Sequence, residues 1–248
     1  MLANRPDDKS ALKFGHQGQL LHATQPVLPT GAQGFEIPCP AVKPGVLLFF
    51  EMLLSSRVID LHAITEVIRT DVGLTVHLLR LAAKERTGRA KGLVDIEDIV
   101  VLLGINRLKG LLEQATVLSG HPRGEAGVST YDRFCMHARL TALIAEELAS
   151  ETATVRQEDA YIAGLLRHVG AIPFVLGWKI PELESVDTGE VGDYLARNWR
   201  LPDVLVDIIR GDREDCGSSS LALFDVVNTA DNHAFRLEVG CDYPAIQE

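Results

Sequence analysis

Cysteine is scarce in this sequence, and its four copies, Cys39, Cys135, Cys216 and Cys241, form no CxxC pair. A structural zinc site needs ligands closely spaced on each side of a turn, so that class is excluded and free thiols in a reducing compartment are expected. Long apolar runs are missing too. The longest, Val46 to Phe50 and Ile99 to Leu103, fall far short of the roughly 20 residues that span a bilayer. The opening stretch MLANRPDDKSALKFGHQG lacks the continuous apolar segment of a secretory signal. No membrane association and a cytoplasmic location are therefore expected. Positive charge is in deficit: 24 Lys and Arg against 34 Asp and Glu leave a net charge of −10. Such a surface repels phosphate backbones, and no nucleic-acid partner is expected. No glycine-rich loop follows a strand pattern, which removes the common phosphate-cradling motifs.

What is present is helical periodicity on a chain of 248 residues, 46% of them apolar, enough for a sizeable core. Residues 1–36 carry glycines and prolines without a sustained period and read as a poorly ordered arm. From Ala41 onward caps and stripes mark helices. Val46 to Leu54 is apolar. Asp60 caps a helix through Ile68, and Asp71 caps DVGLTVHLLRLAA, with Leu74, Leu78 and Leu81 on one face. Asp95 opens DIEDIVVLLG, which Gly104 stops, and INRLKGLLEQATVLSG follows with Ile105, Leu108, Leu112 and Ala115 on one stripe. SGHPRGEAGVST is the expected linker, at 119–130. A long helix over about 130–149 has Phe134, His137, Ala138, Thr141, Ala142 and Ala145 near one face. One helix is expected from about Gln157 to Val175. Another ends at Leu201-Pro202, with Pro202 as the first residue of its successor. A last helix covers roughly Ser219 to Val239. The fold class is all-α, two-lobed, with a lobe over about 41–118 and another over about 131–240.

The segment AGLLRHVGAI, residues 163–172, sets Arg167 and His168 side by side after an apolar run, a natural place for metal or phosphate chemistry. Other candidates read blandly. His62 and Glu66, at i, i+4, are a surface helical pair. Ser218 to Ser220 is a helix-start loop. Cys135 and His137 diverge on their helix and form no dyad. Arg80, Arg107 and Lys109 are the basic cluster of note and read as a solvated face. Trp178 and Trp199 are expected to pack.

The order of six segments resembles the HDOD family, the HD-related output domains of bacterial signalling proteins. They are ITEVIRTDVGLTVHLLRLAA, DIEDIVVLLGINRLKGLL, HARLTALIAEELA, EDAYIAGLLRHVGAI, GEVGDYLARNWRLPDVLVDIIR and LFDVVNTADNHAFRL, spanning about 41–240. The resemblance implies an HDOD domain over 37–248 whose C-terminal lobe is like that of HD phosphohydrolases. It also implies a non-catalytic regulatory module that acts through protein contacts, with unknown signalling partners and possible self-association. The wider HD superfamily binds metal with a first His, a His-Asp pair and a later Asp. His137 and Asp231 match the first and last, whereas Arg167-His168 stands where the pair belongs. Arg cannot shed its proton to ligate a cation, and His168 supplies no carboxylate. Thr188 and Gly211 to Arg213 occupy positions where the related enzymes place further histidines. The expectation is a degenerate pocket of His137, Arg167, His168 and Asp231, with no metal, no cofactor and no enzyme activity. In the favoured reading His137 is a buried histidine bonded to Asp231 or to a backbone carbonyl, and Arg167 replaces the missing cation by pairing with Asp231. The alternatives are a divergent phosphohydrolase using His137, His168 and Asp231, or a pocket that binds a nucleotide second messenger without cleaving it.

Overall fold

A computed structural model describes residues 37–85, 95–118, 130–178, 187–214, 216–218 and 220–241; the N-terminal arm and nearly all of the expected linker lie outside them. Ten α-helices and one 3₁₀ turn make up the described chain: α1 Pro44–Leu54, α2 Leu61–Arg69, α3 Val72–Glu85, α4 Ile96–Gln114, α5 Thr130–Ser150, α6 Gln157–Leu166, the turn Val169–Ala171, α7 Ile172–Leu176, α8 Thr188–Asn198, α9 Asp203–Arg210 and α10 Leu221–Cys241. The all-α class holds. α5 opens at Thr130, where the long helix was expected.

The caps act as the sequence indicates. Asp60 accepts from the Ala63 N–H, Asp95 from Glu97 and Asp187 from Gly189, each satisfying an orphan donor of a first turn. Asp71 is buried and accepts from Leu74 N at 2.9 Å and Lys43 N at 3.3 Å, so one carboxylate both caps α3 and holds the segment leading into α1. Gly104 breaks α4 with φ 69° and ψ 165°, a region open essentially to glycine alone. Pro202 stands one position earlier than expected, at the N-cap of α9.

The expected helix over 157–175 is interrupted. α6 ends at Leu166, His168 takes φ −109° and ψ 23°, and the chain resumes as α7 only at Ile172. Pro173 supplies the reason. It has no N–H for the Val169 carbonyl, and its ring would clash with that carbonyl in a continuous helix. By length and composition Gln157–Leu176 is apolar enough to cross a membrane, but most of it is buried inside the fold and this break divides it.

One core runs through both lobes, from Val42, Phe50, Ile64 and Leu78 to Tyr131, Phe134, Leu165 and Val227. The buried face of α5 includes all six residues expected on it. Directional bonds fasten the lobes together. The Tyr131 hydroxyl donates to Ala41 O at 2.7 Å, the Trp199 indole donates to Pro38 O at 3.2 Å, and Lys43 meets Asp132 at 3.1 Å. Arg69, at the end of α2, pairs with Glu146 of α5 and Glu158 of α6 as well as with Glu66, and lies 4.0 Å from the Tyr161 ring centroid.

Candidate functional site

The helix break decides where the Arg-His pair goes. Two consecutive residues leaving α6 point to different neighbours, His168 toward α10 and Arg167 toward the end of α9. His137 enters from the buried face of α5 and Asp231 from α10. The His137 Nε2 lies 2.9 Å from Asp231 Oδ1, and His168 Nε2 lies 2.8 Å from the same oxygen. The two rings are 5.2 Å apart between centroids, tilted by 48°. A carboxylate only accepts, so both imidazoles present an Nε2–H to Asp231 in this arrangement.

Burial pushes the Asp231 carboxyl up, but the hydrogen bonds from His137 and His168, with their charges, win and hold it well below the usual carboxylate range. Burial also lowers the His168 pKa, aided by the Arg167 and His137 charges and opposed by Asp231.

Arg167 does not make the expected ion pair. Its Nη1 donates to the Ile208 carbonyl at 2.7 Å and to Ile209 at 3.4 Å, at the negative end of α9. Its guanidinium lies 5.8 Å from the Phe224 ring centroid. Gly211, at φ 82°, leaves the room this requires, since a Cβ there would sit 2.6 Å from Arg167 Nη1. The Arg167 and Asp231 charges still feel one another, as burial lowers the Arg167 pKa and Asp231 opposes that shift. Arg167 therefore contributes positive potential to the pocket and caps α9, while His168 takes the direct contact that the sequence suggested for Arg167.

His137, His168 and Asp231 offer three ligand atoms, all within 4.8 Å of one another. Two imidazoles and one carboxylate suit a single borderline ion. They do not suit a pair of hard ions, for which carboxylates would be needed where Arg167 and His168 stand, and the half-buried Arg167 cation opposes added positive charge. The donor set fits one ion at most.

The lesser candidates divide. Trp199 is buried, Trp178 packs against the core, and Ser220 donates to Asp207 Oδ2 at 2.7 Å beside the start of α10. Burial pushes the Cys135 thiol up to about 12, so it is no nucleophile. The basic cluster separates: Arg107 pairs with Glu85, whereas Arg80 turns inward to Cys39. No local pattern announces the Arg69 junction, because Glu146 and Glu158 reach it from helices remote in the chain.

The family model described as the HDOD domain matches residues 41–179, more than half of the chain. The chain belongs to the HDOD family. The six segments noted in the sequence extend beyond that match, through α8 to α10. Solved structures share the fold. The MmoQ response regulator from Methylococcus capsulatus str. Bath superposes with a TM-score of 0.63 at 18% identity, covering 81% of this chain and 87% of that one. A virulence factor (cj0248) from Campylobacter jejuni subsp. jejuni gives 0.57 at 18% identity, covering 77% and 78%. At these identities the likeness is one of fold. An uncharacterized protein of Treponema pallidum (strain Nichols) is 28% identical over an alignment of 191 residues that covers 67% of this chain and 36% of that protein. This HDOD chain thus spans about a third of that curated relative.

Proposed function

We propose that this HDOD chain is a non-catalytic, cytoplasmic signalling module that acts by binding partner proteins. The observation that carries the reading is the closed His137–Asp231–His168 cluster beside the half-buried Arg167. The carboxylate that a hydrolytic metal would use accepts two imidazole N–H bonds instead. Arg167 supplies a fixed positive charge nearby, and the cluster ties α5, the α6 break and α10 together as a structural pin. The surface supports the contact role. Leu48, Phe49 and Met52 of α1 are 59%, 51% and 61% exposed, and Val101 and Leu102 of the neighbouring α4 are exposed too. Apolar side chains left in water at this density favour association. That MmoQ is a response regulator agrees with a signalling role.

A divergent phosphohydrolase is the second reading, favoured by the convergence of three ligand atoms. One set of measurements separates the two: metal content of the full chain purified without chelator, thermal stability with added Mn²⁺ or Zn²⁺, and hydrolysis of phosphodiesters and nucleotides. The regulatory reading expects no stoichiometric metal, no stabilisation and no turnover. One ion per chain, with turnover lost in His168→Ala, would replace it by the hydrolase. Partner capture with Phe49→Glu/Met52→Glu tests the contact role, and partner binding is expected to weaken at unchanged thermal stability.

A further inference from the structure

α1 has the composition of a core helix and the position of a surface one. Glu51 is the one charged or polar side chain in PGVLLFFEMLL, yet only Phe50 and Leu54 of this helix are buried. A helix that is apolar on every side is expected to be covered on every side, whereas Leu48, Phe49 and Met52 are exposed. A cavity of about 550 Å³ opens beside this face, between α1 and α2. Val46 and Phe49 line it from α1, and Ala63, Val67 and Thr70 from α2 and its C-cap; Glu66 is the charged residue on its wall. Glu66 shares the Arg69 guanidinium with Glu146 and Glu158. Carboxylates therefore outnumber their cation at this end of an otherwise apolar groove.

The chain that precedes Ile37 supplies a matching occupant. Residues 1–36 balance Arg5, Lys9 and Lys13 against Asp7, Asp8 and Glu36, so the whole net charge of −10 falls on the rest of the protein. Residues 9–35 contain no Asp or Glu, although 34 of the 248 residues are acidic. This acid-free stretch begins KSALKF, which sets Lys13 between Leu12 and Phe14. Two large apolar side chains around one cation complement apolar walls around one carboxylate. Reach does not limit the contact. Ile37 is buried and precedes Pro44 closely, so the arm is anchored at most about 25 Å of chain from α1. From Phe14 to Ile37 the chain can extend up to roughly 80 Å, against a radius of gyration of about 18 Å for a compact chain of this length. A tethered segment also needs an intrinsic affinity only on the order of millimolar to stay bound.

We propose that residues 9–14 of the chain's own N-terminal arm dock in the α1–α2 groove, with Leu12 and Phe14 against Val46, Phe49 and Val67 and with Lys13 toward Glu66. In an extended segment Leu12 and Phe14 share one side and Lys13 takes the other, which suits a groove with an apolar floor and a half-exposed carboxylate. The docked arm covers Phe49 and so competes with any partner protein that binds there. That competition rests on the partner-binding reading, whereas the docking itself does not.

The test places a photoreactive benzoylphenylalanine at position 14 of the full chain and maps its crosslinks by mass spectrometry after irradiation in dilute solution. Crosslinks within one chain to residues 45–70 are expected. Leu12→Asp and Phe49→Glu should each lower their yield about threefold or more, because each sets a charge in an apolar contact. Lys13→Glu should lower it about two- to fivefold and Lys13→Arg should not, as for an exposed ion pair. Phe49 is exposed, so Phe49→Glu leaves the helices intact, which an unchanged circular dichroism spectrum checks. Crosslinks to other faces alone, no crosslinks, or yields unchanged in both Leu12→Asp and Phe49→Glu would overturn the proposal. Crosslinks joining two chains would also overturn it and make a second copy the occupant. None of these readouts involves a partner protein, so their failure is distinct from failure of the partner-binding reading.

Discussion

At the scale of single residues, burial sets charge states more than sequence neighbours do. Burial lowers the His77 pKa from 6.5 to about 4, only partly opposed by its bond to Pro40. The folded state therefore favours the neutral ring. Its stabilisation is complete above about pH 6.5 and is lost as the pH falls toward 4, with a magnitude on the order of 3 kcal/mol. Glu158 works in the opposite direction. Burial raises its pKa from 4.5 to about 6, so a penalty present above pH 6 is relieved on acidification. The clean observable is a difference: the fall in Tm between pH 7 and pH 4 should be smaller in His77→Gln by several degrees, at roughly 2–4 °C per kcal/mol for a chain of this size. An equal fall in both proteins would remove His77 as a source. His168 adds to the same acid sensitivity, since its pKa is also lowered.

At the scale of elements, close backbone approach is what the fold cannot alter cheaply. A Cβ on Gly170 would collide with the Thr188 carbonyl oxygen and stand 2.8 Å from Gly192 N, so the 3₁₀ turn and α8 pack with no side chain between them. Gly170→Ala should cost about 1–3 kcal/mol or more by forcing α8 away. A Cβ on Gly45, within α1, would meet nothing within 4 Å, and Gly45→Ala should stabilise by about 0.5–1 kcal/mol. Opposite signs in denaturant midpoints check the pair. Most elements were legible beforehand, because Asp60, Asp71 and Asp95 announce their helices through local capping chemistry and Gly104 announces a stop. The break after Leu166 was missed although Pro173 carried its signal, since the apolar run around it reads as continuous helix. That His137, His168 and Asp231 would meet was legible, but their pairing and the departure of Arg167 to α9 were not. Which of Arg167 and His168 reaches Asp231 depends on the direction in which the chain leaves α6.

At the scale of the whole molecule, Arg69 joins the lobes. Its guanidinium meets Glu66, Glu146 and Glu158, and the Tyr161 hydroxyl returns a bond to Arg69 O at 2.9 Å. Arg69→Met keeps much of the apolar packing on Tyr161 but leaves Glu146 and Glu158 without their cation. A loss of about 1–3 kcal/mol is expected, below that of a fully buried pair because the three side chains are only half-buried. The loss should be larger at pH 8 than at pH 5, because protonation of Glu158 removes the uncompensated charge. A pH-independent loss would mean that Arg69 acts through packing alone.

Sequence by itself determined most of the helices, the all-α class and the family, because capping, periodicity and motif order are local properties of residue types. Tertiary structure decided that Asp231 is shared by two histidines, that Arg167 caps α9, and that Arg80 leaves the Arg107 surface for a cavity with His77. Those outcomes depend on how helices far apart in the chain cross and where each backbone turns, which no local pattern encodes.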